Sequence, residues 1–231
     1  MHKFANVIIC GALAVLSVLV FTLNLDKTYV GITAPLYNGN PNKNYVSIMI
    51  NVYDDFDEVL PNIISTLKNA KASATFFVGG VWVMKNHALL QQMSREFEIG
   101  NHGYTHADLN IADENKIRSE ILNTHALVKS ITGVEMTLFA PPSMAYNKTT
   151  VKVAESLNYK TILRTQGKDT IDWRDQDEQL IFQRATKDIK NGDLILMHPT
   201  KATAAVLARI LSYYLEKGFQ IVSVSKNIGD I

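Results

Sequence analysis

The stretch E-I-G-N-H-G-Y-T-H-A-D-L (Glu98–Leu109) contains His102 and His106, two of the six histidines in this 231-residue chain. On one turn of helix, a spacing of four residues places both imidazoles on the same face, close enough to share a metal cation. The alternative interpretation is a polar turn that carries two solvated histidines. The pair by itself does not decide between these two readings.

Apolar periodicity on both sides of this stretch predicts strands that alternate with helices. Strands are predicted at residues 46–52, 72–78, 99–101, 137–140, 161–163, 194–197 and 220–224. Helices are predicted at residues 57–69, 87–97, 114–132, 148–157, 178–187 and 204–217, with Gly133 as a stop signal. This alternation indicates an α/β protein with a mostly parallel sheet.

Composition limits the classes of protein that the chain can belong to. With 47% hydrophobic residues, it can bury one substantial core, and a single folded domain is expected. A net charge of +1 argues against nucleic acid as a partner, because nucleic-acid-binding proteins usually carry a basic surface. The single cysteine, Cys10, excludes an internal disulfide and a zinc site built from cysteines.

The first part of the chain predicts a membrane anchor. Residues 4–25 are almost wholly apolar and long enough to span a bilayer. Lys3 precedes this run, and positive charge holds an N-terminus in the cytoplasm, so the rest would lie outside it. No small-x-small cleavage motif follows, which favours an uncleaved signal-anchor over a secretory signal peptide. Residues 26–44, rich in Gly, Pro and Asn, are predicted to be a linker to a domain at 45–231.

Five segments, in order along the chain and including the histidine stretch, resemble motifs of the NodB-homology polysaccharide deacetylases, carbohydrate esterase family four. They are A-T-F-F-V-G-G (Ala74–Gly80), G-N-H-G-Y-T-H (Gly100–His106), L-F-A-P-P-S-M-A-Y-N (Leu138–Asn147), D-T-I-D-W (Asp169–Trp173) and L-I-L-M-H-P-T (Leu194–Thr200). The resemblance covers about residues 45–228, and M-H-P-T-K-A-T-A-A is most similar to the membrane-anchored, sporulation-associated branch. It implies a distorted (β/α) barrel of fewer than eight strands, with the active site at the C-terminal ends of the strands.

The resemblance implies hydrolysis of N-acetyl groups on a cell-wall glycan such as peptidoglycan, assisted by a divalent metal, expected to be zinc. His102 and His106 match the family's metal-binding histidines, with Gly103 where the family has Ser or Thr. His198 matches the general acid, and Asp169 matches the carboxylate that orients it. The substrate-binding residues implied by the resemblance are Trp173, Leu196 and Pro142.

The first motif of the family, T-F-D-D, contains the catalytic base followed by a metal ligand, and this chain aligns with it in two ways. Matching strand to strand puts Asn51 in the place of the base and Val52 in the place of the ligand. Matching D-D to D-D makes Asp54 the base and Asp55 the ligand, but extends the strand by three residues. Ala140 replaces the family's arginine that pairs with the base. Because such an arginine has no task beside an amide, Ala140 favours the Asn51 alignment.

Two functional hypotheses remain. In the first, the protein is a metal-dependent N-deacetylase that uses the loop carboxylates Asp54 and Asp55. In the second, it is a catalytically impaired relative that binds glycan or supports cell-wall or spore assembly. The substitutions Asn51 and Ala140 favour the second hypothesis, whereas the histidines at 102, 106 and 198 favour the first.

Cell fractionation tests the predicted membrane topology. The full-length protein is expected in the membrane fraction, because residues 4–25 would stay attached to the domain as an anchor. In intact cells with a permeable wall, added protease should digest the domain while a cytoplasmic marker protein stays intact. A mature secreted form that begins near Thr28 would contradict the anchor and favour the cleaved signal peptide.

Overall fold

The computed structural model describes residues 34–53 and 58–229, and strands alternate with helices through this part of the chain. The strands are β1 (Tyr45–Val52), β2 (Thr75–Val78), β3 (Glu98–Asn101), β4 (Leu138–Phe139), β5 (Lys160–Thr161), β6 (Leu194–Met197) and β7 (Gln220–Ile221). The helices are α1 (Leu60–Asn69), α2 (Gly80–Lys85), α3 (His87–Ser94), α4 (Glu114–Thr132), α5 (Lys148–Ser156), α6 (Glu178–Thr186), α7 (Lys201–Glu216) and α8 (Val224–Ile228), with a 3-10 helix at Pro142–Met144. The predicted α/β alternation is confirmed.

The strands form one parallel sheet in the order β5-β4-β3-β2-β1-β6, and β7 pairs with the start of β1. The sheet has seven strands in the part of the chain that the structure describes. Between β5 and β6, Asp169 forms an isolated parallel bridge with Leu196 of β6. The result is a curled parallel half-barrel, in agreement with a distorted (β/α) barrel of fewer than eight strands.

Side chains of β1 alternate between two buried layers. Ile48, Ile50 and Val52 pack in the core between the sheet and the surrounding helices. Met49 packs in a second core inside the barrel, and Asn51, two residues further on, faces the cavity at the mouth of the barrel. Both faces of a parallel sheet are covered, so its strands are mostly hydrophobic. In β1, the polar Asn51 stands where the strand reaches the cavity.

Capping residues set the ends of the long helices. Helix α4 begins where the Asp113 side chain accepts a hydrogen bond from the Lys116 amide, and ends at Gly133, whose φ of 78° is left-handed. Both limits agree with the prediction. Helix α7 begins at residue 201 rather than at the predicted 204, because the Thr200 hydroxyl accepts from the Thr203 amide and caps it there.

Other sequence-based limits are corrected by tertiary contacts. Residues 34–44, predicted to be linker, are bound to the domain, since Leu36 exchanges backbone hydrogen bonds with residues 161 and 163. Helices α2 and α8 were not predicted because each is short. Helical periodicity predicts Leu122 on the buried face of α4 together with Ile117, Ile121 and Val128, but Leu122 is 43% exposed whereas the other three are fully buried.

Membrane crossing is not seen among the described residues. None of their helices is both long enough and apolar enough to span a bilayer. Residues 4–25, the predicted anchor, lie outside the described residues.

The Tyr214 hydroxyl offers a test of the packing between α6 and α7. It is fully buried and donates to the carbonyl of Ala185 at 2.8 Å, near the C-terminal end of α6, where carbonyls lack partners within the helix. Tyr214→Phe is expected to lower the free energy of unfolding by about 1–3 kcal/mol in urea titration. The matched control Tyr213→Phe changes a half-buried neighbour and should cost less than about 0.5 kcal/mol. Equal losses would show that the buried hydrogen bond is not the cause.

Candidate active site

The residues predicted to carry the chemistry meet at the C-terminal ends of the parallel strands. They surround a cavity of about 550 Å³. Its lining consists of Asn51, Tyr53, His102, His106, Ser143, Met144, Arg164, Asp169, Trp173, Leu196 and His198. The register of the sheet explains the meeting point, because β1, β2, β3 and β6 end at the same edge.

The two histidines of the opening stretch lie on a loop, not on a turn of helix. His102 directly follows β3, and the chain then turns through Gly103 and His106, whose φ angles of 74° and 57° are left-handed. The helical-turn prediction is therefore wrong, although the two rings still lie close together. The two ring centroids are 5.2 Å apart, close to the roughly 5 Å expected for imidazoles that share a tetrahedral zinc.

His102 is held as a neutral imidazole with one nitrogen facing the site. Its Nδ1 lies 2.8 Å from the Ala140 carbonyl, which fixes the proton on Nδ1 and leaves a lone pair on Nε2. Burial lowers the pKa of His102 to about 3, with further lowering by His106 and His198. The Nε2 atom is buried and has no hydrogen-bond partner among residues 34–53 and 58–229. This arrangement is typical of a metal ligand.

Tyr53, the residue directly after β1, lies between the histidines. Its ring stacks on His106 with centroids 3.9 Å apart and planes 21° from parallel, and lies 5.6 Å from His102 and 5.9 Å from His198. Gly79 makes room for it, since a Cβ there would lie 3.2 Å from the Tyr53 Cβ. Sequence analysis missed this residue because the resemblance assigns it no role.

The carboxylate that orients His198 is Asp172, and the assignment of that role to Asp169 is corrected. Asp172 is fully buried, and its Oδ1 lies 2.8 Å from His198 Nδ1. Its Oδ2 accepts from the His198 amide at 2.7 Å and from the Thr203 hydroxyl at 2.6 Å. The same D-T-I-D-W motif contains both aspartates, and only the fold shows which one faces the histidine.

Asp169 has a different partner, which the sequence did not reveal. Its Oδ2 accepts from Arg164 Nε at 3.0 Å, and its Oδ1 accepts from the Ile171 amide at 2.9 Å. Both Arg164 and Asp169 line the cavity. An arginine therefore reaches the site even though Ala140 replaces the one expected from the family.

The end of β1 brings Asn51, not a carboxylate, into the cavity. Asn51 is 5% exposed, and its Oδ1 is buried without a hydrogen-bond partner in the described part of the chain. Val52 is fully buried in the helix-side core, in register with Val78 of β2. The strand ends at Val52, so it is not extended toward the alternative pair. Asp54 and Asp55, predicted as alternative base and ligand, lie outside the described residues.

The described residues do not complete a metal site. His102 and His106 supply two suitable donors, but Val52 stands where the strand-to-strand alignment places the carboxylate ligand. Within 34–53 and 58–229, no group of three or more His, Cys, Asp or Glu side chains could hold a metal ion. Two imidazoles are fewer than the three protein ligands that catalytic zinc sites use.

The predicted substrate-binding residues divide into two groups. Trp173, 55% exposed, and Leu196, 5% exposed, line the cavity as apolar wall. Pro142 is buried behind Gly103 instead, where its Cγ would lie 3.3 Å from a Cβ at that glycine. Its neighbours Ser143 and Met144 face the cavity in its place.

Residues 38–162, more than half of the chain, match the polysaccharide deacetylase family. The chain is also 33% identical over 193 residues to the uncharacterised protein YlxY of Bacillus subtilis, covering 83% of this chain and 60% of that protein. It is 32% identical over 171 residues to a peptidoglycan-N-acetylglucosamine deacetylase of Bacillus cereus, covering 72% and 80% of the two chains. This protein therefore belongs to the polysaccharide deacetylase family.

Solved structures agree with this membership. A CE4 family pseudoenzyme from Bacillus anthracis is similar with a TM-score of 0.81 and 32% identity, over 85% of this chain and 69% of that one. A mutant of that pseudoenzyme with restored enzymatic activity is similar with a TM-score of 0.81 and 31% identity, over 85% and 72%. The family fold thus occurs with and without activity.

Comparing two substitutions tests which aspartate supports His198. Asp172→Asn should lower the free energy of unfolding by about 1.5–3 kcal/mol, because one amide oxygen cannot replace both carboxylate oxygens in a buried set of three hydrogen bonds. Asp169→Asn, which weakens a partly exposed ion pair, should cost less than about 1 kcal/mol. Urea titration gives both values, and histidine side-chain ¹⁵N spectra report whether the proton on His198 Nδ1 is kept. A larger effect at Asp169 would reinstate the original assignment.

Proposed function

We propose that this protein binds N-acetylated glycan of the cell wall, with peptidoglycan as the substrate class, and that its deacetylase chemistry is impaired. The observation that carries the proposal is Asn51, which faces the cavity at the end of β1 with a buried Oδ1. A neutral amide cannot accept a proton from water near neutral pH. In the strand-to-strand alignment, the position of the general base therefore holds a side chain that cannot accept a proton.

The proton-donating half of the site is complete. Asp172 is hydrogen-bonded to Nδ1 of His198. Nε2 of His198 is therefore the nitrogen that can donate a proton to the leaving amine. Leu196 and Trp173 form an apolar wall suited to the methyl group of an acetyl substituent. These residues can bind and orient an N-acetyl sugar without the missing base.

The relatives support this substrate class and this loss. The Bacillus cereus relative is a peptidoglycan-N-acetylglucosamine deacetylase, and the Bacillus anthracis neighbour is a pseudoenzyme. A mutant of that pseudoenzyme has restored enzymatic activity, so loss of activity on this fold is reversible by substitution.

A catalytic role is the second candidate, and the intact His198–Asp172 pair favours it. In that case Asp54 would serve as base and Asp55 as the third metal ligand beside His102 and His106, with zinc as the expected cation. The resemblance is the support for this arrangement.

We also propose that the domain acts outside the cytoplasm as a single-pass membrane protein. The apolar residues 4–25 after Lys3 support this location, and so does a substrate that lies in the cell wall. The similarity of the segment around His198 to the sporulation-associated branch supports a role in spore assembly.

Restoring the first motif tests the proposed impairment. The variant Asn51→Asp adds a proton acceptor and a negative charge at the cavity end of β1, near His102 and His106, so it should bind zinc more tightly than wild type. Acetate release from peptidoglycan should rise by about 10²–10⁴-fold, the usual contribution of general-base catalysis. Calorimetry with zinc and an acetate assay measure the two effects. The double variant Asn51→Asp with Val52→Asp should gain no more than Asn51→Asp, because the side chain of residue 52 packs in the helix-side core and not in the cavity.

Controls separate the two candidate functions. Val52→Asp alone places a carboxylate in the helix-side core and should lose stability without gaining activity. In wild type a chelator should barely shift the melting temperature, because weak binding stabilises little. Robust wild-type activity that is abolished by Asp54→Ala or Asp55→Ala would instead establish the loop carboxylates as base and ligand.

A further inference from the structure

The loop between His102 and His106 is attached to the domain by a buried carboxylate. Glu120, on α4, is 1% exposed, and its Oε2 accepts from the amides of Tyr104 at 2.6 Å and Thr105 at 2.7 Å. Its Oε1 accepts from the Thr105 hydroxyl at 2.5 Å and lies 2.7 Å from Lys116 Nζ, one helical turn earlier. A single side chain therefore binds two consecutive backbone donors of the loop.

The other edge of the loop is bound by the start of α2. The amides of Gly80 and Val81 donate to the carbonyls of Gly103 and Tyr104 at 3.0 and 2.9 Å. Backbone amides of the loop thus donate to Glu120 on one side, and its backbone carbonyls accept from α2 on the other. The loop conformation is thus held by contacts with both α2 and α4.

His106 needs such support because its backbone is strained. Its φ of 57° lies in the left-handed region, which costs a non-glycine residue energy that the surrounding contacts must offset. Thr105, the residue directly before it, donates its amide and its hydroxyl to the Glu120 carboxylate. These two hydrogen bonds hold the chain where the His106 ring can stack on Tyr53 and approach His102.

Gly103 is the residue that this arrangement requires. A Cβ at position 103 would lie 3.2 Å from Glu120 Oε2 and 3.3 Å from Pro142 Cγ, at a φ of 74° that side chains disfavour. The Ser or Thr expected there from the family resemblance would therefore disturb the Glu120 contact. The contact of Glu120 with the loop therefore depends on a glycine at position 103.

The charge of Glu120 is retained in spite of its burial. Burial raises its pKa, but donation from Lys116, Thr105 and Tyr104 more than offsets this effect, so the pKa lies below its usual value. An ionised acceptor makes stronger hydrogen bonds to amides than a neutral one.

We propose that Glu120 is the positioning residue for the histidine pair, which fixes His106 through the backbone of residues 103–105. The functional importance of His106 rests on the proposed function, whereas the structural claim does not. A test by NMR needs neither cation nor turnover. Failure of this inference and failure of the proposed function are therefore distinguishable.

Hydrogen exchange and ring contacts of the apo protein test the proposal. In Glu120→Ala, the Tyr104 and Thr105 amides should exchange about 10- to 100-fold faster, and the contact between the Tyr53 and His106 rings should disappear. Amides of β1 should keep wild-type protection, because the sheet does not depend on this loop. The matched control is Glu114→Ala on the same helix, which removes an exposed pair with Arg118 and should leave both readouts unchanged.

Two conservative variants keep the test decisive. Glu120→Gln keeps an acceptor for the two amides while Lys116, half-exposed, turns to water, so the ring contact should be restored. Glu120→Asp keeps the charge but withdraws the acceptor by one methylene, and it decides the question if the alanine variant does not fold. A folded Glu120→Asp protein that retains the Tyr53–His106 contact would overturn the proposal. So would a uniform loss of protection over β1 and α4 in every Glu120 variant, which would make Glu120 a general packing residue.

Discussion

Parallel hydrogen bonding between β1 and its neighbours is the constraint on which the site depends. Val52 of β1 is in register with Val78 of β2, and Val78 with Asn101 of β3, so the residues after these strands emerge at one edge. On the other side Ile50 is in register with Met197 of β6, which puts His198 beside Asn51. A shift of this register by one residue would turn Asn51 from the cavity into the helix-side core.

The polar groups at this edge differ in whether they have hydrogen-bond partners among the described residues. His198 is fixed by a carboxylate whose two oxygens are both hydrogen-bonded, and His102 is fixed by the Ala140 carbonyl. At the end of β1, by contrast, the buried oxygen of Asn51 has no partner among the described residues. Buried polar atoms without partners are costly, and where they persist they mark a place adapted to something else. Here that place is the one that the strand-to-strand alignment matches to the family's catalytic base.

This difference between the partnered histidines and the unpartnered Asn51 offers a physical explanation for the proposed loss of activity. The fold, the apolar wall and the His198–Asp172 pair do not require the base, so they can persist when the base is replaced by Asn51 and its arginine partner by Ala140. Replacing the carboxylate by an amide should not lower the free energy of unfolding, because an amide fills nearly the same volume and removes a charge from a buried position. Binding of an N-acetyl glycan can then be kept without turnover.

The sequence by itself determined the α/β class, the parallel sheet, the limits of α4 and β6, and the histidines that meet at the site. These features follow from local periodicity, capping residues and motif order, which act within a few residues. Only the tertiary structure decided that Asp172 faces His198, that Arg164 binds Asp169, and that Glu120 holds the histidine loop. Those contacts join residues 5 to 26 positions apart, and the direction of a loop side chain depends on packing that no local pattern encodes.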